Sequence, residues 1–331
     1  MTTYRQFVLA SRPEGEVKPE NFLLQTVPVP AMKDGEVLVR NHYLSLDPYM
    51  RGRMDDVRSY APPQPLGEVM IGGTAGEVIE SLSPALKAGD KVVGMLGWAE
   101  MGVSNARALH KVDTTEVPLS AYLGPAGMPG ITAWYGLTQI MEPKEGATIA
   151  VSAAAGAVGS VVGQLAKIRG CRAVGIAGGP EKCAHLVRDL GFDAGVDYKA
   201  GNLKKDLKAA APNGIDALFE NVGGEVLDAC LLRMNPFGRV ALCGMVAGYQ
   251  GRPVPIQNAL AILAMRLMMR AFIVTEHLEL WPQAMRELVP LVATGKIKYR
   301  ETIAEGLPAA PAALIGLLHG QNIGKQLVKL V

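Results

Sequence analysis

The chain has 331 residues, enough for a large core and about two domains. Apolar residues at 49% and charged residues at 19% describe an ordinary globular protein and exclude a disordered or fibrous one. A formal charge of +2, with no basic run, gives no ground for nucleic acid or an anionic membrane surface as a partner.

The N-terminal stretch "MTTYRQFVLASRPEGE" lacks the apolar core of a secretory signal, and a cytoplasmic location is expected. Up to about residue 121, turn signals such as "KDGE", "PPQPLGE", "IGGTAGE" and "KAGDKVVG" punctuate short β-type runs. The spacing predicts a β-rich, barrel-like or sandwich domain. Near residue 122 the rhythm changes. "ATIAVSA" (147–153) reads as a buried strand followed by a helix to about Gly170, and "CRAVGIAG" (171–178) as a second strand ahead of the helical "PEKCAHLVRDLG". Further apolar strands are expected at 194–198, 215–223, 238–246 and 271–275. This alternation predicts a parallel sheet with helices on both faces. The most apolar late stretch, 259–274, is broken by Arg266 and Arg270 and is shorter than the roughly 20 residues of a bilayer span. Its methionines at 265–269 read as core or interface filler at helical spacing. After about residue 296 a strand, a helix and a final strand follow, a tail able to return to the first domain.

The junction after the first strand of the second part carries the chemistry. Against the dinucleotide fingerprint G-x-G-x-x-G, residues 154–159 read Ala-Ala-Gly-Ala-Val-Gly. Gly156 would let a pyrophosphate approach the main chain, and Gly159 would let the helix lie close on the sheet, its N-terminus facing the anion. Small residues also serve plain helix–strand packing, so the motif gains weight only from its strand–turn–helix setting. About 20 residues on, NAD binders usually place an acid for the ribose, whereas this chain reads "AGGPEKC" with Lys182 within a turn. That favours NADP.

Cys171, Cys183, Cys230 and Cys243 form no CxxC pair and have apolar neighbours, so buried reduced thiols are expected rather than a disulfide framework.

In order along the chain, "LSLDPYMRGRM", "GEVMIGGTAGEVIES", "GMPGITAWYGL", "AAAGAVGSVVGQLAK", "FENVGG", "CGMVAGY" and "QNIGKQLVKL" resemble the zinc-independent medium-chain dehydrogenase/reductases. The branch they match is that of prostaglandin (leukotriene B4) reductases, plant alkenal double-bond reductases and bacterial curcumin reductases. The resemblance implies an α/β fold: a GroES-like catalytic domain from residues 1–121 completed by 296–331, and a Rossmann domain over 122–295. It implies NADPH-dependent reduction of the C=C bond of α,β-unsaturated ketones and aldehydes, and a homodimer. By the same resemblance Ala155, Gly156, Ala157 and Val158 meet the pyrophosphate, while Lys182 and Tyr198 hold the 2′-phosphate end. Asn221, the stretch Cys243, Gly244, Met245 to Tyr249, then Phe272, Ile273, Val274 and Asn322 line the ribose and nicotinamide. Glu220 departs from the Asp of many relatives, and "CGMVAGY" lacks the serine and glutamine that relatives often carry, a departure that bears on substrate shape.

No cysteine precedes residue 171, and the first region offers only His42 and His110, which read as structural; no metal site is expected. Without a Lewis acid, the fitting task is hydride delivery to an already electrophilic carbon, with a donor for the developing enolate. Tyr249 is the candidate donor, and Tyr49 is a candidate pocket wall or second donor. Arg51 and Arg53 are assigned no chemistry. A zinc-free quinone reductase and a non-catalytic NADPH-binding protein are the competing readings.

Overall fold

A computed structural model describes residues 2–331. Its first part is strand-rich. A hairpin of β1 (Thr3–Leu9) and β2 (Phe22–Pro28) precedes β3 (Glu36–Ser45), the short helix α1 (Tyr49–Arg53), β4 (Thr74–Ser81), β5 (Lys91–Gly94), β6 (Met101–Asn105) and β7 (His110–Lys111). The core here is aromatic: Phe22 stacks on Trp98 with ring centroids 5.0 Å apart, and Phe7 meets Trp98 edge-on.

Helix α2 (Met128–Tyr135) opens the second part. There follow β8 (Thr148–Ser152), α3 (Gly159–Ile168), β9 (Arg172–Ala177), α4 (Pro180–Arg188), β10 (Ala194–Asp197), α5 (Leu203–Ala210) and β11 (Ile215–Glu220). Next come α6 (Gly224–Leu231), β12 (Met234–Leu242), α7 (Ala259–Ala264), β13 (Met268–Ala271) and α8 (Trp281–Ala293). The six strands run parallel in the order β10-β9-β8-β11-β12-β13. Burial on both faces explains the continuous apolar runs. Ile149, Val151 and Phe219 pack with residues of α2, α3 and α8, while Ala150, Val174 and Leu218 pack with α5 and α6. The strand order reverses between β8 and β11, so their carboxyl ends frame the crevice where doubly wound sheets bind ligands.

The tail supplies β14 (Glu301–Glu305), α9 (Ala310–Leu318) and β15 (Lys325–Lys329). β15 lies between β14 and β3, with Leu327 opposite Ser45, in a sheet ordered β14-β15-β3-β4-β5-β7 from which β6 branches at β3.

Three local readings change. The strand expected at 271–275 lies at Met268–Ala271 instead, and Val274–Glu276 forms a single 3-10 turn. The helix after β8 ends at Ile168 and is shorter than the pattern suggested. The methionines of 265–269 do not share a helix: α7 ends at Ala264, Arg266 turns the chain at φ 51°, and Met268 and Met269 lie on β13 at the sheet edge. The apolar period there mixes an exposed helix with an edge strand.

Candidate active site

The turn after β8 is tight. Ala153 adopts φ 47° and its carbonyl accepts from the Gly156 amide at 2.9 Å, so the left-handed residue falls one place before the fingerprint's first position. The two fingerprint glycines have different causes. A Cβ on Gly159 would stand 2.6 Å from the Ala153 oxygen and 2.8 Å from the Ala154 Cα, so this glycine answers to packing. A Cβ on Gly156 would meet only the Ala153 oxygen, at 3.2 Å; beyond it lies open cleft. Among the described residues, no protein acceptor takes the amides of Ala157 and Val158, which precede α3. Free amides at a helix start, beside space that a side chain would fill, fit a pyrophosphate.

The cleft has a volume of about 720 Å³ and runs along this turn. At one end, the Tyr198 ring and Lys199 Cε pack over Gly178, each 2.9 Å from where its Cβ would stand. Lys182 reaches the same end and donates to the Gly320 carbonyl at 2.6 Å; burial, then the neighbouring Lys199, lowers its pKa. The nearby carboxylate of Asp197 is occupied, accepting from the amides of Gly179 at 2.8 Å and Lys199 at 2.9 Å. Two lysines, with the carboxylate turned to backbone, suit a phosphate rather than a bare ribose diol.

At the other end the tips of β11 and β12 meet. The Asn221 amide group donates to the Ser152 carbonyl at 2.7 Å, and its backbone N–H to the Ser152 hydroxyl at 2.7 Å. Glu220 is fully buried; one carboxyl oxygen accepts from Val222 and Gly223 at 2.6 Å each, and the other has no partner among the described residues. Burial pushes this carboxyl up to about 7 against the pull of those two amides. Its backbone carbonyl accepts from Cys243 at 2.8 Å and Gly244 at 3.1 Å, which fixes the loop carrying Tyr249. Tyr249 folds back over that loop, its phenolic oxygen 3.1 Å from where a Gly244 Cβ would stand. Burial, with Cys243 adding to it, pushes the phenol up to about 12, so it is a neutral O–H donor at ordinary pH. Burial, helped by the charge of Glu220, likewise pushes the Cys243 thiol up to about 12. Phe272 packs on Tyr135, with ring centroids 5.2 Å apart, and Tyr135 shares a 2.8 Å hydrogen bond with His277.

Every cofactor residue expected from the sequence borders this one cleft except Met245 and Gly248, and so does Tyr49. Met245 lies beside Gly223, behind the loop. Asn322 is buried and donates to the Gly324 carbonyl at 2.7 Å. His42 and His110 lie outside the cleft, on β3 and β7. Cys171 and Cys230 are buried, whereas Cys183 and Cys243 are partly open, and Cys243 faces the cleft. The two arginines of "YMRGRM" part ways. Arg51 is buried, paired to Asp55 at 2.7 Å and bonded to the Gly15 carbonyl at 2.8 Å. Arg53 borders the cleft, and among the described residues no carboxylate pairs with it. Tyr60 also borders the cleft, close enough to Tyr49 and Tyr249 to influence both. Sequence reasoning passed over Arg53, Tyr60 and Lys199. For Lys199 the signal was at hand, since it is adjacent to Tyr198; for Tyr60, within "RSYAPPQPLGE", there was none. Among the described residues no group of three or more His, Cys, Asp or Glu side chains is placed to hold a metal ion.

Two family models match: the N-terminal domain of oxidoreductase over residues 5–112, and zinc-binding dehydrogenase over residues 157–293. The chain is 44% identical to the NADPH-dependent curcumin reductase of Escherichia coli, covering 98% of this chain and 96% of that one. It is 43% identical to the NADP(+)-dependent 2-alkenal reductase of Nicotiana tabacum over 88% of this chain and 87% of the relative. It is 41% identical to prostaglandin reductase 1 of Rattus norvegicus, covering 99% and 100%. Among solved structures, CurA of Vibrio vulnificus in complex with NADPH superposes with a TM-score of 0.94 at 43% identity, covering 99% of each chain.

Proposed function

The chain belongs to the zinc-independent medium-chain dehydrogenase/reductases, in the branch of curcumin, alkenal and prostaglandin reductases, and on that premise we propose how its cleft works. It is an NADP-dependent oxidoreductase that reduces the C=C bond of α,β-unsaturated ketones and aldehydes. NADPH, when bound, supplies the hydride that reaches the substrate β-carbon.

The protein's own part is positional and electrostatic. The amides of Ala157 and Val158, with Ala155 and Gly156, hold the pyrophosphate; Lys182, Lys199 and Tyr198 hold the 2′-phosphate. Asn221, Phe272, Ile273, Val274 and Asn322, with the Cys243–Gly244 turn, seat the nicotinamide end. The Tyr249 O–H donates to the substrate oxygen as charge develops there, and the buried phenol keeps its proton for that task. Tyr49 forms the facing wall. The α-carbon takes its proton from a nearby acid or from water.

The observation that carries this reading is that one cleft joins free helix-start amides, a lysine pair and a neutral phenol. The test is NADPH oxidation across linear enals, cyclic enones, aryl enones and quinones, with NADH as control. Turnover of enones with preference for NADPH supports the reading. Turnover of quinones alone would make it a quinone reductase, and tight NADPH binding with no acceptor a non-catalytic binder.

Domain limits of 1–121 with 296–331, and 122–295, are supported by the pairing of β15 with β3. A homodimer joined along β13 is supported by the open edge of that strand and by α7, whose Leu260 and Leu263 are 81% and 75% exposed. No described helix is long and apolar enough to cross a membrane, and a cytoplasmic site of action is part of the proposal.

A further inference from the structure

The floor of the cleft holds a charge that the reaction scheme leaves unused. Lys325, first residue of β15, is 3% exposed, and its ammonium donates to the Leu46 carbonyl at 2.6 Å and to Asp47 Oδ1 at 2.9 Å. The other Asp47 oxygen accepts from the Ser45 hydroxyl. Asp47 is itself buried, and its carbonyl accepts from Met50 at 3.1 Å, which starts the turn that presents Tyr49 to the cleft. One residue before Lys325, the Gly324 amide donates to the Ala155 carbonyl at 2.8 Å, and Gly324 pairs with Gly156 as an isolated bridge. A continuous chain of bonds therefore runs from the pyrophosphate turn, through Gly324 and Lys325, to the segment that sets the Tyr49 wall.

Burying such a pair costs several kilocalories of desolvation, which its attraction offsets only in part, so apolar replacements of similar volume are often no less stable. Stability is thus a weak reason for an ammonium here. Geometry is a better one: a single nitrogen with two fixed acceptors sets β15 against the Leu46–Asp47 segment that follows β3. Glu301, directly opposite Lys325 on β14, has one buried oxygen without a partner among the described residues and lies close enough to feel the Lys325 charge.

We propose that Lys325 is a positioning residue that fixes the distance between the Tyr49 substrate wall and the cofactor turn, so that the enone β-carbon is held at hydride-transfer range. This rests on the enone-reductase reading. Misplacement by about 1 Å costs on the order of 100-fold in rate, so a floor without the bridge loses turnover before it loses cofactor.

The test compares wild type with the double variant Lys325→Met/Asp47→Asn, in which the buried Lys325–Asp47 pair is removed as a unit. Melting temperature, NADPH affinity by fluorescence, kcat on an enone and its isotope effect with 4-deuterated NADPH are all measured. The double variant is expected to melt within about 3 °C of wild type. It should bind NADPH within about twofold, yet lose at least roughly tenfold in kcat with a raised isotope effect, because the hydride step becomes limiting. A merely structural role would lower the folded fraction and leave the isotope effect alone. A folded double variant with kcat within about twofold of wild type and the same isotope effect overturns the inference. Lys325→Arg guards against a double variant that does not fold: its longer, planar cation should lower kcat at least about threefold with NADPH affinity unchanged, and wild-type kcat in it counts against the proposal. A wild type inactive on every enone fails the functional reading and takes this inference with it, whereas wild-type activity matched by the variants fails the inference alone.

Discussion

The two walls of the cleft are built by different means. On the Rossmann side the pyrophosphate turn is made of main chain: a left-handed Ala153, open space at Gly156 and free amides at Ala157 and Val158. On the catalytic side the work falls to side chains brought from separate segments: Tyr49 and Arg53 on α1, Tyr60 in the following loop, and Lys325 from the C-terminal strand. The difference teaches that backbone-made sites fail by steric filling, whereas sites made by convergent side chains fail by loss of one group's chemistry or aim.

The sharpest break of that contrast is Gly156→Val. Little besides the Ala153 oxygen opposes the new side chain, so the fold should persist while the filled cleft weakens NADPH binding by about 100-fold, or ~2.7 kcal/mol. Isothermal titration checks it, and wild-type affinity would mean the pyrophosphate lies elsewhere. Tyr249→Phe removes one donor from the loop after β12 and should lower kcat on enones by roughly 30-fold or more, with NADPH affinity unchanged. Unchanged steady-state turnover would take the phenol out of the mechanism. Lys182→Ala should raise the KM for NADPH about tenfold and that for NADH hardly at all, the loss of one charge-assisted contact. An equal effect on both cofactors would show that Lys182 does not meet the phosphate.

The last effect is on stability rather than on turnover or cofactor affinity. Glu220 is raised to about 7 from an ordinary 4.5, with burial as the cause. Between those values the folded protein holds a proton that the unfolded chain has released. Stability is therefore fully present below this window, falls as pH rises through it, and levels off above about 7. The fall is up to about 3 kcal/mol. Glu220→Gln should flatten this part of the curve in urea titrations at pH 5 and pH 8. A slope that survives the substitution would place the titrating group elsewhere.

The same contrast decides what could be read from the sequence. The fingerprint, the lysine after β9 and the alternation of strand and helix are local patterns, and local patterns survive without the fold. Tyr60 depends on a loop held by Gln64, whose side chain donates to the Val69 carbonyl at 3.1 Å and accepts from Ile71 at 3.0 Å, contacts that no spacing announces. Lys325 reads in "GKQLVKL" as a common strand lysine, and only the insertion of β15 beside β3 buries it against Asp47. Arg51 and Arg53 are two residues apart and chemically alike, yet one braces Asp55 while the other faces the cleft. The methionines after α7 misled because a period cannot separate an exposed helix from the edge strand that follows it.

The central claim is that hydride from NADPH lands on the carbon of the double bond remote from the carbonyl. Reduction of an enone with 4-deuterated NADPH, followed by NMR of the product, tests it directly. Deuterium at the β-carbon of a saturated ketone is the predicted result. Deuterium on the carbinol carbon of an allylic alcohol, or a product without label, would contradict the account.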